Sequence, residues 1–167
     1  MNPTLEQLTE HFKGLTAAAA VPADGPAESV SPTPVLVVVQ AVDFALKGFH
    51  LDVAVGPAQV VAAAEVADRA GFGIDSITGV DWLAQNEMEV VYDFFHPTSP
   101  LRVVVRARVP RGSPELPTIG GVFPGANWHE RETHDFFGIR FTGNPNLKPF
   151  LLPEDATFHP LLKDYKP

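Results

Sequence analysis

Hydrophobic and polar residues alternate along the middle of the chain. Between residues 49 and 55, apolar side chains occupy every second position, with His50, Asp52 and Ala54 between them. A period of two is typical of a strand that buries one face. Strands are predicted in the same way further along the chain, at 72–80, 87–96 and 101–109.

The last two predicted strands are joined by a short loop, Pro97-Thr98-Ser99-Pro100. A loop of this length places His96 opposite Leu101 and fixes the register of the hairpin. The predicted pairs are Phe94 with Val103, Tyr92 with Val105, Val90 with Ala107, Met88 with Val109, and Glu89 with Arg108. One face is therefore apolar, and the other carries Glu89, Asp93, Arg102, Arg106 and Arg108. We interpret the second face as solvated and charge-balanced, with a docking surface as the alternative.

Two helices are predicted on either side of the first strand. Thr4 and Gln7 have the spacing of a capping box, which indicates a helix over residues 4–14. Residues 57–70 consist mostly of good helix formers, and Gly71 stands where a left-handed residue would end that helix.

Composition divides the chain into four predicted parts. They are an N-terminal helix, a flexible linker rich in Ala, Pro, Ser and Gly, an α+β domain, and a C-terminal tail, at residues 1–15, 16–34, 35–142 and 143–167. A β-prone stretch at 35–39 has no readable partner. The fold class is predicted as α+β, with a mostly antiparallel sheet of about four strands, helices on one side, and an extended proline-rich tail.

The tail combines prolines with many apolar side chains, so it is expected to lie on a surface rather than in solvent. That surface belongs to a partner protein in our preferred interpretation. The alternative is that the tail covers its own domain.

Overall composition narrows the possible functions. The chain has no cysteine, which excludes disulfides, cysteine-ligated zinc and thiolate-bound iron–sulfur clusters. Its 12 Lys and Arg stand against 20 Asp and Glu, for a net charge of −8, which argues against nucleic-acid binding. The N-terminal residues do not resemble a secretory signal, and the longest uncharged windows are shorter than the ~20 residues of a membrane span, so a cytoplasmic location is expected.

Two stretches that resemble a metal-binding and a nucleotide-binding motif do not have the spacing that these motifs require. His129 and His134 are five positions apart, whereas a zinc-binding pair on a helix needs a spacing of four. Gly71-Phe72-Gly73 precedes a strand and lacks the third glycine of a dinucleotide fingerprint. We therefore predict no catalytic, cofactor-binding or metal-binding residue.

A run of charged and aromatic residues at 126–137 predicts a further helix, with Asn127 as its cap. The four-residue spacing of Arg131 to Asp135 and of Glu130 to His134 predicts two side-chain pairs on its surface. Taken alone, this is an ordinary amphipathic helix.

The sequence around this helix nevertheless carries a longer motif. Its parts are Trp128, Glu130-Arg131-Glu132, Asp135-Phe136-Phe137-Gly138-Ile139, Gly143-x-Pro145-x-Leu147 and Pro160-Leu161-Leu162-Lys163-Asp164-Tyr165. This motif resembles the C-terminal signature of the thirty-kilodalton subunit, also called the C subunit, of respiratory complex I (NADH:quinone oxidoreductase). That family includes related subunits of energy-converting NiFe hydrogenases. The resemblance covers residues 49–167.

The resemblance implies a cofactor-free subunit in the peripheral arm of a membrane oxidoreductase, on the cytoplasmic face of the inner membrane. Its expected partners are the large (D-type) subunit of complex I, which resembles the NiFe hydrogenase large subunit, and the iron–sulfur subunits. The motif residues would form the subunit interface, with the acidic and basic residues of the helix fixing it against the core or the partner. An internal ion pair between Glu130 and Arg131 is the alternative for those two residues.

Three positions depart from the family pattern: Asn144 replaces a histidine, Lys148-Pro149 replaces a basic pair, and Leu162 replaces an arginine. These departures favour a hydrogenase or formate hydrogenlyase relative as the alternative to the NADH:quinone branch. A stand-alone soluble binding module is a further alternative, and an independent small-molecule enzyme is the least favoured.

Overall fold

The computed structural model of the chain describes residues 3–17 and 37–166. The helices are α1 (Leu5–Lys13), α2 (Phe44–Lys47), α3 (Val60–Arg69) and α4 (Ala126–Phe137). The strands are β1 (Val38–Ala41), β2 (Leu51–Val55), β3 (Gly73–Trp82), β4 (Glu87–Phe95), β5 (Arg102–Pro110), β6 (Glu115–Pro117) and β7 (Arg140–Thr142).

The main sheet has five strands in the order β1-β2-β5-β4-β3, and all its pairs are antiparallel except β2 with β5. A separate parallel pair joins β6 to β7. The prediction of an α+β fold with a mostly antiparallel sheet is confirmed, and the sheet has five strands where about four were predicted.

The additional strand is β1, which pairs with β2 so that Gln40 lies opposite Asp52. The observed strand begins at Val38, later than the predicted stretch at 35–39. Residues 35 and 36 lie outside the described residues. The partner of this strand could not be identified because the connection contains the unpredicted helix α2, which Gly48 ends with a left-handed φ of 77°. Most of the predicted linker, residues 18–34, also lies outside the described residues.

The predicted register of the β4–β5 hairpin is confirmed. Phe94 lies opposite Val103, Tyr92 opposite Val105, and Glu89 opposite Arg108. The His96 N–H donates to the Leu101 carbonyl at 3.0 Å. This hydrogen bond closes the hairpin at the pair of residues that the loop length predicted.

One face of this sheet forms the core together with α1, α3 and α4, so these helices lie on one side, as predicted. Buried side chains from both layers make a single cluster that includes Phe12, Leu51, Val66, Tyr92 and Ala126. The opposite face carries paired charges. They are Arg106 with Asp52 at 2.8 Å, Arg102 with Asp93 at 2.9 Å, and Arg108 with Glu87 at 3.0 Å.

Most of the predicted helix signals are confirmed. Thr4 and Gln7 form the reciprocal capping box of α1, and Gly71 follows α3 with a φ of 83°. The predicted cap of α4 was wrong. Gly125 occupies the N-cap, and the Asn127 amide donates to the carbonyl of Pro124 at 3.1 Å.

The described part of the tail, residues 143–166, contains turns and bends but no helix or strand. It runs back along α4 and makes the contacts described below. Among the described residues, no helix is long and apolar enough to cross a membrane.

Candidate functional site

Helix α4 is fixed on edge strand β3 by one polar and one apolar contact. The Thr133 hydroxyl donates to the Ile77 carbonyl at 3.0 Å. The Phe137 ring lies over Gly79, where a Cβ atom would come within 2.5 Å of the ring. A glycine at position 79 is therefore required for this close approach.

Glu130 lies on the inward face of α4 and is 0% exposed. Its carboxylate accepts hydrogen bonds from the Thr118 hydroxyl at 2.6 Å, the Ile119 N–H at 2.9 Å and the Asn144 amide at 2.7 Å. These donors come from the segment after β6 and from the start of the tail. Glu130 therefore joins both to α4.

Neutral donors alone surround the Glu130 carboxylate, and this affects its ionisation. Burial raises the pKa of Glu130, while the three hydrogen bonds act in the opposite direction. Burial, together with the Glu130 charge, also raises the pKa of Tyr92, whose buried hydroxyl has no hydrogen-bond partner among the described residues. The predicted Glu130–His134 pair and the alternative of a Glu130–Arg131 ion pair were both wrong, because Glu130 points into the core.

Asp135 holds the middle of the tail. One oxygen of its carboxylate accepts the N–H groups of Phe150 at 2.8 Å, Leu151 at 2.7 Å and Leu152 at 3.2 Å. Burial would raise the pKa of Asp135, but the three backbone donors, with His134 nearby, lower it below its ordinary value. The predicted surface pair with Arg131 does not form, because both side chains bind the tail.

Arg131 binds the tail through carbonyl groups and aromatic rings. Its Nε donates to the carbonyl of Lys148 at 3.1 Å, and its Nη2 donates to that of Pro149 at 2.9 Å. Its guanidinium carbon lies 5.2 Å from the centre of the Trp128 ring and 4.9 Å from that of Phe150. Such stacking of a cation on aromatic faces is favourable and holds the three side chains together.

A second charged cluster holds the end of the tail. Arg111 donates to the buried Asp81 carboxylate at 2.8 and 3.1 Å, and to Asp164 at 2.5 Å. Asp81 also accepts the Lys163 N–H at 2.8 Å. The hydrogen bond from Arg111 is the main reason why the pKa of Asp81 lies below its ordinary value.

The turn after α4 brings the tail close to the helix end. Gly138 has a φ of 73°, and a Cβ there would lie 2.8 Å from the ring of His159. The Nδ1 of His159 is 2.8 Å from the Asp135 carbonyl, and the Leu161 N–H donates to the Phe136 carbonyl at 3.1 Å. Gly138 therefore meets both a backbone and a steric requirement.

Several large apolar side chains of α4 and the tail remain exposed. Trp128 is 57% exposed, Phe150 41% and Leu151 54%, and Phe158 and Leu161 are also exposed. We call these five side chains the apolar rim. A group of large exposed apolar side chains is typical of a surface that binds another protein.

The structure thus brings most of the predicted motif residues to one surface. Trp128, Arg131, Asp135, Phe136 and Gly138 contact the tail, while Glu130 and Ile139 are buried. At the far end of the tail, Tyr165 stacks on Phe158 with ring centres 5.7 Å apart, and Lys163 and Asp164 join the Asp81 cluster. Glu132 is exposed and lines a groove of about 310 Å³ between β3 and α4. Gly143 and Pro145 are exposed at the start of the tail, where Leu147 is half-buried, as is Pro160 near its end.

Sequence reasoning missed the residues that complete this surface: Thr118, Asn144, His159, Asp81 and Arg111. A signal existed for Asp81, which shares the phase of the buried Ile77 and Gly79 along β3. An acidic residue on the apolar face of a strand needs a buried cation or several donors. Asn144 stands at a position of the family motif that usually holds a histidine, but nothing in the local pattern identifies Thr118, His159 or Arg111.

The arrangement is suited to holding a chain segment. Its carboxylates accept backbone N–H groups, and its arginines bind carbonyls, carboxylates and rings. Within residues 3–17 and 37–166, no group of three or more His, Asp or Glu side chains is placed to hold a metal ion.

Comparison with known proteins agrees with the motif. The family model described as "Respiratory-chain NADH dehydrogenase, 30 Kd subunit" matches residues 53–167. The chain is 45% identical over 92 residues to the C subunit of NADH-quinone oxidoreductase from Roseiflexus sp. (strain RS-1), covering 54% of this chain and 53% of that protein. It is 42% identical over 92 residues to the C subunit of F(420)H(2) dehydrogenase from Methanosarcina mazei, covering 54% and 58%. The chain thus spans about half the length of these curated relatives.

Among solved structures, the fold is similar to a chain of the membrane-bound sulfane sulfur reductase, an archaeal respiratory membrane complex. The TM-score is 0.68 at 24% identity, over 78% of this chain and 77% of that one. The match of the family model extends over most of the chain and includes α4 and the whole tail. The chain therefore belongs to the family of the 30-kDa subunit of respiratory-chain NADH dehydrogenase.

Proposed function

We propose that this chain is the 30-kDa (C) subunit of a complex I-like membrane oxidoreductase and that it acts there as a scaffold without a redox centre of its own. It binds the large, D-type subunit of the complex through α4 and the tail. The iron–sulfur subunits are its further neighbours, and the complex holds it at the cytoplasmic face of the inner membrane.

The family match is the observation that carries this proposal, because it covers α4 and the tail together. Relatives with this subunit include both an NADH-quinone oxidoreductase and an F(420)H(2) dehydrogenase. The proposed role therefore does not depend on the electron donor. A hydrogenase-type complex remains the alternative setting for the same role.

The chemistry of the chain supports a scaffolding role. With no cysteine in the sequence, the chain has no thiolate to bind an iron–sulfur cluster. The buried carboxylates Glu130, Asp135 and Asp81 all accept hydrogen bonds that hold the tail or the segments beside it. These contacts present the apolar rim in a fixed arrangement, which reduces the entropy lost on binding.

Co-purification with the large subunit tests the proposal. The chain is co-expressed with an affinity-tagged large subunit from the same source, in the full-length form and with residues 146–167 deleted. We expect the full-length chain to co-purify stoichiometrically and the truncated chain to be largely lost. Circular dichroism of the truncated chain shows whether it has folded.

If the truncated chain does not fold, a full-length variant with both Phe158 and Leu161 changed to serine replaces it in the co-purification experiment. The matched control changes Phe44 and Leu46 to serine, because these side chains are exposed on α2 at the opposite edge of the sheet. Failure of the full-length chain to bind the large subunit would contradict the proposal.

A further inference from the structure

Arg131 differs from the other arginines in how its charge is satisfied. All the other arginines form ion pairs with carboxylates: Arg69, Arg102, Arg106, Arg108, Arg111 and Arg140. Arg131 has no carboxylate partner in the part of the chain that the structure describes. It binds two neutral carbonyls instead, which leaves its Nη1 without a hydrogen-bond partner among the same residues.

The backbone of a second cationic residue, Lys148, lies beside Arg131. Lys148 provides the carbonyl that Arg131 Nε binds, and its exposed ammonium group likewise has no carboxylate partner among the described residues. The chain has a net charge of −8. Arg131 and Lys148 are in contact through the hydrogen bond to the Lys148 carbonyl, and both lack a carboxylate partner among the described residues. This part of an acidic protein is therefore locally positive, which favours an anion.

The aromatic rings around Arg131 determine the shape of this site. The guanidinium lies against Trp128 and Phe150, which are both largely exposed and whose ring centres are 5.1 Å apart. Trp and Arg are the side chains that contribute most often to the energetic centre of an interface. Because two carbonyls and two rings already fix Arg131, little side-chain entropy remains to be lost on binding.

We propose that Arg131, Lys148 and the Trp128 ring form a receptor for an acidic side chain of the large subunit, with apolar residues on either side of that acid. The partner's carboxylate contacts the Arg131 Nη1 group and the Lys148 ammonium. Its apolar neighbours cover Trp128, Phe150 and Leu151. This inference rests on the proposed function, because it names the chemistry by which the large subunit is bound.

An anionic membrane surface is the other anion source that these cations could meet. The net charge of −8 disfavours it, since the rest of the chain would be repelled from anionic lipids. A carboxylate on a single protein partner needs no such large basic surface.

Lys148→Glu tests the receptor without removing the tail contacts, because Arg131 binds the backbone carbonyl of residue 148. Hydrogen exchange at residues 150–152 checks that the tail remains in place. We expect the affinity for the large subunit to fall by roughly tenfold or more, because like charges now oppose each other at the interface. The matched control is Lys47→Glu, on α2 at the opposite edge of the sheet, with unchanged affinity.

Carbodiimide cross-linking of the wild-type complex provides a direct readout, since it joins an ammonium to a carboxylate in contact with it. We expect mass spectrometry to find Lys148 linked to an Asp or Glu of the large subunit. Equal binding by the Lys148→Glu variant, or cross-links from other lysines alone, would overturn this inference while leaving the proposed function intact. Binding to phosphatidylglycerol vesicles that is lost in the variant would also overturn it, in favour of a lipid site. If the wild-type chain does not bind the large subunit, the proposed function fails and this inference fails with it.

Discussion

Glu130 and Asp135 are carboxylates of one helix that have opposite pKa shifts. Burial raises the pKa of Glu130, whereas three backbone donors lower that of Asp135. Each carboxylate accepts three hydrogen bonds, and neither pairs with an arginine among the described residues. The difference is that burial outweighs the hydrogen bonds at Glu130, whereas at Asp135 the three backbone N–H groups, with His134 nearby, outweigh burial. The two residues therefore make the stability of the molecule depend on pH in opposite directions.

Replacing Glu130 should change how stability varies with pH. A carboxyl group whose pKa is raised by folding favours the folded state below its unfolded pKa, and this contribution is lost as the pH rises through the folded pKa. The difference in unfolding free energy between Glu130→Gln and the wild type should therefore increase from acidic to neutral pH. Urea denaturation at several pH values between about 4 and 8 measures this difference in unfolding free energy. The range includes the ordinary Glu pKa of about 4.3 and the pH values above it.

Glu132→Gln, on the exposed side of the same helix, is the control for this series. Its unfolding free energy is measured over the same pH range, as the removal of an exposed charge from the same helix. If the two variants differed from the wild type in the same way at every pH, burial of the Glu130 charge would not affect folding.

Replacing Asp135 should loosen the tail. Asp135→Asn removes the charge that accepts the N–H groups of Phe150, Leu151 and Leu152, and charge-assisted hydrogen bonds contribute about 1.5–3 kcal/mol. Hydrogen exchange of these three amides should become markedly faster. Asp155→Asn, on an exposed residue of the same tail, should leave their exchange unchanged. Unaltered exchange in Asp135→Asn would show that the carboxylate does not hold the tail.

At the scale of elements, the β4–β5 hairpin separates the two faces of the sheet most clearly. Val105 is buried on the core face, while Arg106 on the other face pairs with Asp52. These adjacent residues have opposite surroundings. The faces can therefore be compared by substitution within one strand.

Val105→Asp should unfold the domain, because it places an unpaired charge in the core. Arg106→Ala should cost about 1 kcal/mol or less, since partly exposed ion pairs contribute little. Thermal denaturation followed by circular dichroism distinguishes the two outcomes. Similar melting temperatures for both variants would mean that the faces are assigned wrongly.

The same hairpin shows what the sequence could reveal. Its register follows from a four-residue loop and strict alternation, which are both local, so it was predicted pair by pair. Strand β1 was only partly predicted, because helix α2 separates it from its partner. The contacts of Asp135 were not predictable, because three consecutive amides of an irregular segment leave no periodic signal. The position of Asp81 on an apolar face was a readable sign of a buried charge, although its partners, Arg111 and Lys163, are distant in sequence.

At the scale of the whole molecule, the proposed role requires that electrons pass through other subunits. The purified chain should therefore be colourless, contain no iron or flavin, and oxidise neither NADH nor formate. Absorption spectra, metal analysis by mass spectrometry and activity assays check this expectation. Stoichiometric iron or measurable turnover in a homogeneous preparation would contradict the scaffold proposal.

The topology of the main sheet also bears on folding kinetics. Strands β3, β4 and β5 follow one another and pair as neighbours, whereas β2 pairs with β5 across about 50 residues. Closing a long loop costs more entropy than closing a short one, so we expect the three consecutive strands to form first. Val90→Ala in β4 should then mainly slow refolding, while Val53→Ala in β2 should mainly speed unfolding. Stopped-flow measurements give both rates, and the reverse pattern would place β2 in the folding nucleus.

This order of events has a consequence for biogenesis. Helix α4 packs on β3 through Thr133 and Phe137, so the proposed partner-binding surface rests on the half of the sheet that we expect to form first. Strands β1 and β2 lie at the other edge and contribute no residue to the apolar rim. If the proposed function holds, a newly made chain should therefore become able to bind the large subunit before strands β1 and β2 have docked.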